Sequence, residues 1–287
     1  MIDAHHHVWQ LGANGCQWPT PDLRAIYRDV ELPEFVAIAR AAGVTGSVLV
    51  QSQPCDADTD YLLALAAESD FVKAVVGWVD LASPHAPARI ARLMAPSPNG
   101  RASALRGLRP MLQSLPEDDW ILRPELEPAL AAMKHHGLAL DALVYPRHLP
   151  YLVELARCHP TLPVVIDHGA KPPIAVSNQL AADWCDALAA LAVLPNLYCK
   201  ISGLPVEAGA NQTPELLADY ITQLVVLFGA ERLMWGSDWP VLTLAANPRW
   251  ATYSGWLDVV RMALSGVDPA AIEAIFGGTS AGVYGFT

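Results

Sequence analysis

The 287 residues are 53% hydrophobic and 16% charged, which excludes a disordered chain and leaves enough apolar mass for one barrel-sized domain or two ordinary ones. A net charge of −11 argues against a nucleic-acid partner, because phosphate binding needs a basic face. No apolar run approaches the ~20 residues that cross a bilayer, so no membrane partner is expected, and the N-terminus lacks the order of a signal peptide, which points to the cytoplasm.

The chain opens with Ile2-Asp3-Ala4-His5-His6-His7-Val8-Trp9. Side chains two apart on a strand share a face, so a strand here aims His5 and His7 at one spot and turns His6 away. Residues 11–28 form a long polar loop carrying Trp18 and Tyr27, and long loops in compact domains tend to be functional. A helix follows over 33–42, started by Pro33 and stopped by Gly43. Residues 45–53 read as a buried strand, with Asp56 or Asp58 placed to cap a helix over 61–68.

The alternation continues through strands at 72–81, 105–112, 138–145, 162–168, 196–202 and 233–237. Helices are expected around 88–94 and over 124–136, 149–158, 179–194, 214–228 and about 250–265, with one more over 269–276. Apolar strands separated by helices imply a parallel sheet covered on its outer face. Eight such units in roughly 250 residues match the (β/α)8 count. No G-x-G-x-x-G follows the first strand, which weighs against a doubly wound sheet. We expect one barrel domain over residues 1–287. Five scattered cysteines, odd in number and without C-x-x-C, read as reduced and structural.

A barrel does its chemistry at the C-terminal ends of its strands. Those ends carry His5 and His7; Gln51, Ser52 and Gln53; Trp78 and Asp80; Arg109 and Gln113; Arg147 and His148; Asp167, His168 and Lys171; Lys200 and Ser202; and Ser237 and Asp238. Asp80 is expected to cap a helix. His168 and Asp238 each end an apolar strand before a tight turn. With His5 and His7 they make a ring of three imidazoles and one carboxylate, which suits one divalent ion, zinc first. Without an ion, the same ring could polarise a carbonyl directly while Asp238 takes a proton from water.

The ordered set Asp3-x-His5-x-His7, Gly107-x-Arg109-Pro110, Asp167-His168-x-x-Lys171-Pro172, Lys200-Ile201-Ser202-Gly203-Leu204 and Gly236-Ser237-Asp238-Trp239-Pro240-Val241 resembles the amidohydrolase superfamily. Within it the chain is similar to the amidohydrolase-2-type sugar lactonases, the branch of L-fuconolactonases and related aldonolactonases. The resemblance covers nearly the whole chain. It implies a distorted (β/α)8 barrel that hydrolyses the ester of a sugar-acid lactone. It also implies His5, His7, His168 and Asp238 as the metal or active centre, with Asp238 and His168 catalytic and Asp238 the base. Arg109 would meet the substrate carbonyl or hydroxyls, with Lys171 and Ser202 nearby and Trp78 among the aromatic faces of the pocket. The predicted fourth strand has no lysine and the fifth no histidine, so a lysine-bridged pair of metals is not expected. The rival readings are a metal-dependent decarboxylase on the same barrel and a barrel that binds a sugar acid without turning it over.

Overall fold

A computed structural model describes residues 1–96, 102–176 and 179–286. Among them, eight parallel strands follow one another around a nearly closed barrel in the order β1 to β8. The strands are β1 (Ile2–His6), β2 (Gly46–Val50), β3 (Val72–Gly77), β4 (Leu105–Leu108), β5 (Ala139–Ala142), β6 (Val164–Ile166), β7 (Leu197–Ile201) and β8 (Leu233–Trp235). The outer layer is α1 (Leu32–Ala41), α2 (Asp56–Ala67), α3 (Ala86–Met94), α4 (Glu127–His135), α5 (Leu149–Cys158), α6 (Ala182–Ala192), the short α7 (Leu204–Glu207), α8 (Pro214–Phe228) and α9 (Tyr253–Ala263). None of the described helices is long and apolar enough to cross a membrane.

Alternation along the strands splits the apolar residues into two layers. Val48, Val50, Ala74, Val76, Ala139, Val165 and Met234 fill the barrel, while Leu49, Val75, Leu140, Val164 and Ile166 pack outward against the helices. The first strand breaks this rule. Its pairing with β2 slips between Asp3 and His6, and a bulge of this kind re-aims side chains. Ala4 and its neighbour His5 therefore both reach the interior, where His5 Nδ1 lies 3.2 Å from Lys200 Nζ. His6 is turned out, stacked 3.5 Å from Phe35.

Most strands are shorter at their C-terminal ends than the apolar patterns suggest. Beyond Ile166 the chain turns at once, with positive φ at His168, Gly169, Ala170 and Lys171. Beyond Trp235, Asp238 also has positive φ. Polar residues that leave the ladder this early are free to point into the mouth. Helix α2 begins at Asp56, not at 61, and neither aspartate is its N-cap. Asp58 instead accepts from the backbone N–H groups of Ser52 and Gln53 at 3.0 and 3.2 Å, fastening the end of β2 to the helix. Asp80 is likewise no cap, since α3 starts at Ala86; its carboxylate accepts from Ala82 N–H at 3.2 Å in a local turn.

The seam between β1 and β8 is closed by loop residues. Asp238 N–H donates to His5 carbonyl and His7 N–H to Trp239 carbonyl, each at 2.8 Å. At the opposite end the expected last helix continues as α10 (Pro269–Glu273), a π-helical step (Ala274–Gly278) and α11 (Thr279–Tyr284). Tyr284 is buried against the inner apolar layer, and its hydroxyl donates to Asp141 Oδ2 at 2.8 Å. The five cysteines are free.

Candidate active site

The strand ends bring His5, His7, His168 and Asp238 together. His5 Nε2 and His7 Nε2 stand 3.1 Å apart, and Asp238 Oδ1 lies 3.7 Å from the first and 3.4 Å from the second. The ring centroids of His5 and His168 are 4.6 Å apart. All four side chains are buried.

Each imidazole is oriented from behind. His7 Nδ1 faces the Val50 carbonyl at 2.8 Å. A carbonyl only accepts, so Nδ1 carries the hydrogen and Nε2 offers a lone pair. His168 Nδ1 meets Ser202 Oγ at 2.9 Å. His5 Nδ1 sits between an acceptor, Asp167 Oδ1 at 3.3 Å, and a donor, Lys200 Nζ at 3.2 Å.

The separations within the donor set bear directly on a divalent ion. Ligands 2.0–2.2 Å from a tetrahedral ion stand roughly 3.3–3.6 Å from one another. The 3.1, 3.4 and 3.7 Å edges of the His5–His7–Asp238 triangle bracket that, so the residues fit. When His5 donates from Nδ1 to Asp167, three lone-pair atoms face one point. When Lys200 donates to His5 Nδ1 instead, His5 Nε2–H can donate to His7 Nε2, and the cluster is satisfied by its own hydrogens. A second group, His5, Asp167 and His168, also converges, but Asp167 is already bound by two cations. Arg109 Nη1 donates to its Oδ2 at 3.0 Å and Lys200 Nζ lies 3.0 Å from its Oδ1.

Burial dominates the protonation states. It drives His5 well below its ordinary range and His168 down to about 4 against the nearby Asp238 and Asp167 charges, so both imidazoles are neutral at neutral pH. Burial alone would raise Asp238, yet His168, His7 and Lys171 outweigh it and hold the carboxyl below its usual value. Asp167 lies well below the usual carboxylate range because Lys200, His5 and Arg109 together overcome its burial. Neutral His5 and His168 beside an ionised carboxylate make a site that can hold an ion and accept a proton from water.

These groups open onto a cavity of about 270 Å³. His7, His168 and Asp238 face it, with Arg109 and Lys171 on the wall and Trp18 from the long first loop. Gln53 fastens that loop, its Oε1 accepting from Gln17 and Trp18 N–H at 3.0 and 3.1 Å and its Nε2 donating to Trp18 carbonyl at 2.6 Å.

Two expected substrate contacts lie off the cavity, and a third, Arg109, lines it while tied to other groups. Ser202 is fully buried behind His168, so it orients that ring and does not face the cavity. Trp78 does not line the cavity; its backbone is held by Thr59 Oγ1. Arg109 reaches the wall, but its guanidinium binds Asp167 and the Gln51 carbonyl, so it shapes the site from inside the protein. Glu207, Met111 and Gln113 also line the cavity. Glu207 is not among the expected site residues; it lies just past the Lys200-to-Leu204 motif, at the end of the four-residue α7.

Residues 2–286 match the family model described as Amidohydrolase. An L-fucono-1,5-lactonase of Burkholderia ambifaria is 47% identical over 286 residues, covering 99% of this chain and 94% of its own. An L-fucono-1,5-lactonase of Burkholderia multivorans is 32% identical, covering 99% and 95%. The crystal structure of an amidohydrolase from Burkholderia multivorans with bound zinc superposes with a TM-score of 0.91 at 30% identity, covering 100% of this chain and 99% of that one.

Proposed function

The chain belongs to the amidohydrolase family, and from that premise we propose that it hydrolyses the ester of a sugar-acid lactone, an aldonolactone such as L-fucono-1,5-lactone, to the free acid. The carrying observation is an ionised Asp238 set 3.4 Å from His7 Nε2 and 3.7 Å from His5 Nε2 at the floor of a cavity large enough for one small ring. The names of the two curated relatives supply the substrate class.

Asp238 takes a proton from a water molecule, whose oxygen attacks the lactone carbonyl carbon. The carbonyl oxygen gains the negative charge within the histidine cluster, where His168 Nε2 is the ring nitrogen left over once Nδ1 has paired with Ser202. When the tetrahedral carbon collapses, the bond to the ring oxygen breaks, and Asp238 returns its proton to that oxygen. His5, His7 and Asp238 would hold a divalent ion, with zinc the first candidate from the zinc-bound neighbour. When bound, such an ion lowers the pKa of water and stabilises negative oxygen. Arg109 and Lys200 keep Asp167 ionised, which in turn holds His5. A decarboxylase would need an aromatic or unsaturated acid, and neither curated relative carries that name.

The test is proton release on a panel of aldonolactones, with and without chelator, for the wild type and Asp238→Asn. Ring opening well above the spontaneous rate is expected, and the variant should lose at least ~10²–10⁴-fold in kcat with an unchanged circular dichroism spectrum. Near-wild-type turnover in folded Asp238→Asn refutes the mechanism. A loss of turnover in chelator assigns the histidines to an ion.

A further inference from the structure

One wall of the cavity holds an ion pair that takes no part in the proton transfer assigned to Asp238. Lys171 and Glu207 both line it, and Nζ stands 3.7 Å from Oε1. That is too long for a hydrogen bond, and neither side chain makes another hydrogen bond among the described residues. The ammonium therefore keeps donors, and the carboxylate acceptors, for a third party.

Both groups are fixed relative to His168. Lys171 ends a run of four residues with φ between 52° and 60°, a conformation that costs non-glycine residues roughly 1–2 kcal/mol each. The turn is pinned by Trp184 Nε1–H to Gly169 carbonyl at 2.7 Å and Lys171 N–H to His168 carbonyl at 2.9 Å. The ammonium also lies 5.5 Å over the Tyr145 ring. Glu207 ends α7, whose N-cap Gly203 packs against the His168 ring. Burial, together with the Asp238 charge, pushes the Glu207 carboxyl up against the pull of Lys171. Elsewhere on the wall, Gln113 Oε1 is buried without a partner among the described residues, a further acceptor.

Among the described residues, the wall carries no free cation for a carboxylate. Lys171 is balanced by Glu207, and Arg109 is held by Asp167 and Gln51. We infer that Lys171 and Glu207 read two neighbouring hydroxyls of the lactone ring, Lys171 donating to one oxygen and Glu207 accepting the proton of the next. The pair thereby selects neutral, vicinally hydroxylated lactones over both bare and carboxylated ones. The reaction named here rests on the lactonase reading above, whereas recognition of the diol rests on the pair itself. A site built to bond a hydroxyl rejects the analogue lacking it, because its own polar groups are left without partners.

The experiment compares kcat/KM for a hydroxylated 1,5-lactone and for δ-valerolactone, the same ring without hydroxyls, in the wild type, Glu207→Gln, Lys171→Met and the double variant. In parallel, a 1,5-anhydroalditol, a hydroxylated ring with no ester, is titrated by calorimetry. The expected result is a fall of about 10- to 100-fold in the hydroxylated-to-bare ratio for each single variant, carried by KM. The anhydroalditol Kd should rise by the same order. A ratio held within about threefold in variants that fold by circular dichroism overturns the inference, and so does an equal loss on both substrates. If the wild type opens neither lactone yet binds the anhydroalditol through this pair, the hydrolytic reading fails and the inference stands. A wild type that binds no anhydroalditol and shows no preference between the lactones overturns it.

Discussion

A single methyl group tests how closely His168 is held. A Cβ on Gly203 would lie 2.5 Å from His168 Cγ and Nδ1, and the residue sits at φ +65°, so glycine is required on two counts. In Gly203→Ala the imidazole must shift off Ser202. The expected outcome is a loss of about 1–3 kcal/mol in stability and, because a 1 Å misplacement can cost ~10²-fold, a drop of that order in kcat/KM. Thermal melting and steady-state rates check it; an alanine variant with wild-type kcat/KM would show that the ring position does not matter. Asp238, at φ +58°, shows the same economy of position. Aspartate tolerates left-handed backbone better than most residues, and here that backbone aims the carboxylate back at β1.

Among the elements, the long first loop depends most on one side chain. Gln53→Leu keeps the volume near β2 and deletes three hydrogen bonds to Gln17 and Trp18, each worth about 0.5–1.5 kcal/mol. Trp18 then leaves the cavity wall. The expected result is a KM about tenfold higher, in line with 1.4 kcal/mol per decade, and faster tryptic cleavage at Arg24 or Arg28. An unchanged KM and cleavage pattern would argue against the clamp. The loop was legible as functional from its length and its tryptophan, but the clamp was not, because Gln53 is one of three polar residues in a row and nothing local says which one turns back. The strands were legible from β-branched runs, and their early ends were not: residues 109–112, 167–168 and 236–237 extend an apparent strand in sequence while lying outside the ladder in space. The bulge in β1 is equally silent in sequence, although it is what places His5 beside Lys200.

At the scale of the whole molecule, a line of buried polar groups runs from the floor of the barrel to its mouth. Tyr284 bonds Asp141, Asp141 pairs with Lys200 at 2.5 Å, Lys200 reaches Asp167 and His5, and Arg109 closes the line on Asp167. Lys200→Met would take the shared cation from two buried carboxylates, leaving Asp141 only the Tyr284 hydroxyl and Asp167 only one cation, Arg109, which costs about 3–5 kcal/mol. At about 2–4 °C per kcal/mol for a chain near this size, the melting temperature should fall by roughly 6–20 °C. A change under about 2 °C would mean that the carboxylates find other partners. The histidines and Asp238 were readable because their motifs are local. Lys200 read only as one more polar residue at a strand end and Tyr284 not at all, since their roles exist only once strands far apart in sequence share one interior.

The seam between the first and last strands sets the order in which the site can be made. Asp3 accepts from Ser237 N–H across 234 residues and from the Tyr253 hydroxyl across 250, and Asp238 N–H closes on His5 carbonyl. Synthesis runs from the N-terminus, so the strand that bears His5 and His7 is made well before Ser237 and Asp238, which close on it. The histidines can therefore meet their carboxylate only after the intervening strands and helices have been made, and assembly of this cluster is expected to be a late event of folding.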